Sequence, residues 1–276
     1  MTSSVQDQYE VLIIKYGTRE TIRREVFLNY HLYDKPDGQS DIDMDYYVWV
    51  ARNADRTVVI DTGYSTQTAQ RRGRTFTVPP PDAFHRLGIV DAPSAIVILT
   101  HGHYDHVGNI SYFPTAQFVM AQSEFDFWTS PYAQRKQFHY SVEDPELEEL
   151  AALHASGRLT LTTGDQDIAP GIAIIEVGGH TPGQLMVHVA TADGPVLLTS
   201  DAMHYYEEYE QDYPFVFTAD VPRAYDAFDR IRGMFDAEEI AHLVSGHDPS
   251  TFSRFAPDPG GPLPGLVATI GGSPVG

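Results

Sequence analysis

Cysteine is absent from the 276-residue chain, so it has neither a disulfide framework nor a thiolate to serve as nucleophile or metal ligand. Basic residues are scarce: 18 Lys and Arg stand against 38 Asp and Glu, a formal charge of −20. Nucleic acid and anionic membrane surfaces are therefore not expected as partners, because phosphate binding depends on clustered cations. No apolar run approaches the ~18 residues of a membrane helix. The opening Met1-Thr2-Ser3-Ser4-Val5-Gln6-Asp7 has neither the basic nor the apolar stretch of a secretory leader, so a cytoplasmic protein is expected. A small molecule is the expected partner, with a homodimer left open.

What the chain does have is histidine and aspartate in a distinctive order. Residues 101–106 read His-Gly-His-Tyr-Asp-His, directly after the apolar run Ala95-Ile96-Val97-Ile98-Leu99-Thr100. Four potential ligands in six positions, at the mouth of a strand, suit a borderline-soft divalent ion. Three further polar residues occupy similar settings: His180 after Ile174–Gly179, Asp201 after Val196–Ser200, and His247 after Ala241–Gly246. Strand ends that deliver side chains into loops are how rigid scaffolds build metal sites. The remaining histidines are assigned to the surface or to positions behind the ligands, with His204 and His31 the two to reconsider.

This ordered set resembles the signature of the metallo-β-lactamase superfamily, HxHxDH followed by a distant His, an Asp and a final His, over roughly Tyr46 to Pro249. The resemblance implies that His101, His103 and His180 hold one metal, that Asp105, His106 and His247 hold a second, and that Asp201 bridges them. Asp61, in Val59-Ile60-Asp61-Thr62-Gly63, matches an early aspartate that supports the ligand loop from behind. Two divalent ions are implied, zinc foremost, although the donor set also admits iron, manganese and cobalt. Ions ~3.5–4 Å apart can share a hydroxide that attacks a polarised carbonyl, which removes the need for a serine or cysteine triad. Asp105 would orient that hydroxide or pass a proton to the leaving group. A one-metal site with Asp105 outside it is the alternative.

Within the superfamily, the text Leu198-Thr199-Ser200-Asp201-Ala202 resembles the lactonase branch, implying hydrolysis of an N-acyl homoserine lactone or an aromatic lactone. Thioester or amide/lactam hydrolysis on the same metals is the alternative. That branch often carries a tyrosine three residues after the bridging aspartate; here the position is His204, followed by Tyr205, and either is expected to assist catalysis at the substrate carbonyl. A glyoxalase II-type thioesterase is disfavoured because Arg254 is the one basic residue after His247. Di-iron redox members carry Glu where His103 stands. A metal-binding protein without catalysis would reveal itself by bound metal and no hydrolysis. Tyr30, His31, Tyr33, Phe125, Trp128, Tyr132, Phe138, Tyr205, Tyr206 and Tyr209 are candidates for an apolar pocket wall.

Alternation and turn signals predict strands at Val11–Tyr16, Tyr46–Arg52, Thr57–Ile60, Ala95–Leu99, Ala116–Met120, Leu159–Thr162, Ile172–Val177, Gln184–Val189, Val196–Thr199 and Ala241–Val244. Helices are predicted at Thr66–Arg72, Asp82–Leu87, Ser123–Trp128, Asp144–His154 and Pro222–Phe235, the last with Ala224, Phe228, Ile231 and Phe235 on its buried face. Periodicity supports a mixed α/β (α+β) chain; the four-layer αββα sandwich comes from the resemblance. Residues 1–255 are expected to form a single hydrolase domain with 129–157 as a lid. Residues 256–276 are expected to form a loosely packed Pro/Gly-rich tail.

Overall fold

The computed structural model describes residues 7–33, 35–257 and 260–272. The opening residues 1–6, on which the leader reading rests, and parts of the tail lie outside them. The strands are, in order, β1 (Glu10–Arg19), β2 (Met44–Arg52), β3 (Thr57–Ile60), β4 (Thr75–Phe76), β5 (Ile96–Ile98), β6 (Gln117–Ala121) and β7 (Leu159–Thr162). They continue as β8 (Gln166–Ala169), β9 (Ile172–Glu176), β10 (Leu185–Val189), β11 (Val196–Leu198), β12 (His242–Val244), β13 (Ala256–Pro257) and β14 (Val267–Ile270).

One sheet runs β13-β14-β1-β2-β3-β5-β6-β7, with β4 also on β1; the other runs β12-β11-β10-β9-β8. Successive side chains on a strand point to opposite faces, and here both faces are covered. From β1, Val11 and Ile13 meet Ile174, Leu185, Val187 and Leu198 of the second sheet in the central core. The alternate residues Leu12, Ile14 and Tyr16 pack with Ala83, Phe84, Leu150 and Leu153 from helices outside the first sheet. The helix Val221–Asp236 covers the second sheet, burying Ala227, Phe228, Ile231 and Met234 against Ile175, Met186 and Leu197. Four layers result, helix, sheet, sheet, helix, as expected. Phe235, expected on the buried face of that helix, is 36% exposed, and Met234 fills the core instead.

One expectation is corrected. Part of the tail is not loosely packed: β14 pairs antiparallel with β1, and Leu263, Val267, Ala268 and Ile270 are buried. A strand of β-branched and small residues is ordered between β13 and β1, an interaction that local Pro and Gly content does not report. Segment 129–157 is also divided. The helix Asp144–Ala155 buries Leu150 and Leu153 in the outer core, whereas Ala133 and Val142 form a small separate cluster with Trp128. No helix among the described residues is long and apolar enough to cross a membrane.

Candidate metal centre

Topology brings the chemistry to one edge. β3, β5 and β6 run parallel in the first sheet, and β11 and β12 run parallel in the second. Their C-terminal ends therefore open in the same direction, the usual place for a site in such sheets. Asp61 follows β3, His101 follows β5, Asp201 follows β11 and His247 follows β12, while His180 lies between β9 and β10. The sheets are stitched together here: Leu185 N–H donates to the Thr100 carbonyl (2.9 Å) and Asp45 N–H to that of His247 (2.9 Å). A short helix at Tyr104–Val107 turns Asp105 and His106 back toward the strand ends.

Three buried groups result, each with ligand atoms within 4.8 Å of one another: His101, His103, His180 and Asp201; Asp105, His106 and His247; and Asp201, His204 and His247. Asp201 joins them. Its Oδ2 lies 3.6 Å from His101 Nε2 and 3.4 Å from His180 Nε2, and its Oδ1 lies 3.3 Å from His106 Nε2 and 3.0 Å from His247 Nε2. One carboxylate oxygen thus faces each of two histidine sets.

The outer nitrogens fix the tautomers. His247 Nδ1–H donates to the Asp45 carbonyl (2.7 Å) and His106 Nδ1–H to Asp61 Oδ2 (2.7 Å). Thr100 Oγ1, itself donating to Asp61 Oδ2 (2.7 Å), lies 3.2 Å from His101 Nδ1 and can accept its proton. Each ring then turns its Nε2 inward, the arrangement that orients metal-binding histidines. His101 Nε2, His106 Nε2 and Asp201 Oδ1 are buried without a hydrogen-bond partner. Burial holds His101 and His180 well below the usual imidazole range and His103 at about 3, so these rings are neutral. Burial also works against charging His106, but Asp201, Asp61 and Asp105 outweigh it and push that ring up. Orphaned inward lone pairs beside uncompensated carboxylates are what a pair of divalent cations would satisfy. The residues fit a binuclear metal site.

Two buried acids hold the ligand loops. Asp61 accepts from Thr100 N–H (2.8 Å), Thr100 Oγ1 and His106 Nδ1. It adopts left-handed backbone (φ 62°), as does Ser200 (φ 46°), at about 1–3 kcal/mol each, a strain that such anchored contacts can sustain. Glu124 was not singled out by sequence. Its Oε1 accepts from Gly102 N–H (2.8 Å) and Trp128 Nε1–H (2.6 Å), and its Oε2 accepts from Gly183 N–H (2.8 Å). It thereby ties the loop of His101 and His103 to that of His180. Alone in an amphipathic stretch, a glutamate carries no signal of this role.

Above the centre, a cavity enclosing about 460 Å³, part of it open to solvent, is lined by Met44, Tyr46, Tyr104, Tyr140, Phe215 and Phe217 together with His103, Asp105, His180, Asp201, His204 and His247. His204 stacks on Phe215 (centroids 3.7 Å apart), with Nε2 3.0 Å from Asp201 Oδ2 and Nδ1 3.3 Å from Glu208 Oε1. Burial opposes its charge, yet these two carboxylates push it up to about 9. Tyr205 does not join it. That hydroxyl donates to the Asp43 carbonyl (3.3 Å) and its ring packs on Phe27, outside the cavity lining. The residues reverse faces at this turn because Glu208 accepts from both His204 and Tyr205 N–H (3.1 Å each). Of the other aromatics proposed for the wall, Trp128 and Phe138 line an adjoining recess, and His31 is exposed. Tyr46, Tyr104, Phe215 and Phe217 were not anticipated.

Residues 43–243 match the model of the metallo-beta-lactamase superfamily. An N-acyl homoserine lactonase of a Bacillus species is 24% identical over 189 residues, which cover 63% of this chain and 70% of that protein. The N-acyl homoserine lactonase AttM of Agrobacterium fabrum is 26% identical over 181 residues, covering 64% and 67%. The Bacillus thuringiensis N-acyl homoserine lactonase is 24% identical, and the match spans 59% of its length. Among solved structures, a quorum-quenching N-acyl homoserine lactone lactonase superposes with a TM-score of 0.72 at 20% identity, covering 91% of this chain and 94% of the other. AidC, a dizinc quorum-quenching lactonase, gives 0.69 at 17% identity, covering 100% and 98%. The matched model runs from the residue before β2 into β12 and so takes in Asp61, His101, His103, Asp105, His106, His180 and Asp201, stopping four residues before His247: the chain belongs to the metallo-β-lactamase superfamily, as a metal-dependent hydrolase.

Proposed function

We propose that the protein opens the ring of a lactone, using two zinc ions held by His101, His103 and His180 on one side and Asp105, His106 and His247 on the other, with Asp201 between them. The observation that carries this reading is the division of the Asp201 oxygens between two histidine sets beneath a cavity with an apolar and aromatic wall. The bound ions would supply Lewis acidity and a water acidified toward neutrality. Met44, Phe215 and Phe217 offer an apolar wall for an acyl chain or ring. His204, oriented by Glu208 at Nδ1, would donate its Nε2–H to the substrate carbonyl oxygen once metal engages Asp201 Oδ2, in the place where tyrosine serves in the lactonase branch. Asp105, lining the cavity, carries a proton to the leaving alkoxide. The lactonase names of the relatives favour cyclic esters over thioesters and lactams.

The test is proton release by the metal-replete protein on a panel of lactones, thioesters and β-lactams. Turnover confined to lactones is expected, with His103→Ala losing both metal and hydrolysis. Turnover of thioesters or lactams alone would refute the lactone assignment; full activity of His103→Ala with normal metal content would refute the ligand assignment.

A further inference from the structure

Three arginines reach the cavity, and they differ in how their charge is met. Arg72 is neutralised: its Nε lies 2.7 Å from Glu143 Oε1, its Nη2 donates to the Val142 carbonyl, and its guanidinium stacks over Tyr104. Arg74 has no carboxylate partner. Its Nε donates to Tyr104 Oη (3.1 Å) and its Nη1 to the Arg72 carbonyl (3.2 Å), which leaves Nη2 without a hydrogen bond to any described residue. Arg19, at the end of β1, makes no hydrogen bond or ion pair with a described residue. Both are partly buried and line the same cavity as Tyr46, whose hydroxyl burial holds above its ordinary value against the opposing pull of Arg74 and Arg19.

In a chain with 38 acidic residues against 18 basic ones, unpaired guanidiniums inside a cavity call for an explanation. The carboxylates of that cavity, Asp105 and Asp201, belong to the groups that can hold metal. Nothing in the lining is left to balance Arg19 and Arg74. The long-range field of the chain repels anions, so these two charges act by contact rather than by steering. Guanidinium groups recognise carboxylates and phosphates through charge-assisted hydrogen bonds.

We propose that Arg19 and Arg74 form an oxyanion subsite beside Tyr46 and Tyr104, so that the preferred substrate is a lactone carrying a carboxylate or a phosphate on the part that extends toward them. This rests on the lactonase reading above and narrows its substrate class.

The experiment uses three lactones with the same ring and tail, ending in a methyl ester, a carboxylate or a phosphate. Their kcat/KM values are compared for the zinc-loaded wild type, Arg19→Gln and Arg74→Gln, with melting temperatures as a folding control. One charged lactone should exceed the ester at least tenfold, and Arg19→Gln should cut that ratio about tenfold, chiefly through KM. Which charged tail wins identifies the anion. Arg19→Gln breaks no described hydrogen bond, so it remains informative if Arg74→Gln fails to fold. A wild type that prefers the ester, or arginine variants whose ratio stays within twofold, would overturn the subsite. Calorimetry of the three ring-opened acids separates this from failure of the lactonase reading. If no lactone is opened, at least tenfold tighter binding of a charged-tail acid than of the ester-tail acid, lost in Arg19→Gln, still upholds the subsite; equal binding rejects it.

Discussion

Replacing Glu124 by Gln changes one oxygen into an amide nitrogen at a point where both oxygens accept. With the amide oxygen in the Oε1 position, the bonds from Gly102 N–H and Trp128 Nε1–H survive, but the new NH2 faces Gly183 N–H, 2.8 Å from the position it occupies. The flipped amide is worse, since it sets two donors against the NH2. Each buried donor left unmade costs about 1–3 kcal/mol, so the two facing donors together cost about 2–6 kcal/mol. At roughly 2–4 °C per kcal/mol for a domain of this size, melting should fall by about 4–24 °C. The damage is local to the loop of His180, and outer contacts of this kind typically change metal affinity about 10–100-fold. Chelator competition should therefore resolve two binding steps, with the step that depends on His101, His103 and His180 weakened and the other close to wild type. Thermal unfolding of the metal-free protein measures the stability term separately. Melting within a degree of wild type, with both binding steps unchanged within twofold, would refute the reasoning.

Glu146 gives a pH-dependent effect away from the metal ligands. Burial raises its carboxyl from the usual 4.5 to about 7, although Thr68 Oγ1 donates to it (2.7 Å). Between those values the unfolded chain releases this proton and the folded chain keeps it, so stability falls as pH rises from about 4.5 to 7 and the penalty is complete above 7. At 1.36 kcal/mol per pH unit that is at most about 3 kcal/mol. Glu146→Gln should melt higher relative to wild type at pH 8 than at pH 5; a difference independent of pH would contradict this. Tyr205→Phe removes one hydrogen bond to the Asp43 carbonyl and should lower stability by about 1 kcal/mol while kcat/KM on any accepted substrate stays within about twofold, because the hydroxyl lies outside the cavity. A loss of rate as large as that of His103→Ala would restore the tyrosine to the chemistry.

The division between sequence and tertiary structure follows the range of the interactions involved. The HxHxDH stretch is local: a strand end, two spacers and one helical turn place His101, His103, Asp105 and His106 within six residues, so its chemistry is written in the order of side chains. The strands that carry Asp61, Asp201 and His247 are legible too, since both of their faces are buried and their apolar runs end at the ligand candidates. Other features depend on partners far along the chain. Strand β14 exists because β1, more than 240 residues earlier, offers its backbone. Glu124 becomes an anchor because folding brings Gly102 and Gly183 to its two oxygens. His204 and Tyr205 are adjacent in sequence, and the bonds of Glu208 at a single turn decide which of them faces the cavity. Arg19 and Arg74 come from different elements, and their shared opening appears once the first sheet and the Tyr104 turn are assembled. The sequence by itself determined which groups could bind metal, because ligand chemistry resides in side-chain type and local spacing. Tertiary structure alone decided that Glu124 joins Asp61 behind those ligands and which side chains line the cavity, because burial and hydrogen bonding between distant segments set where each side chain points.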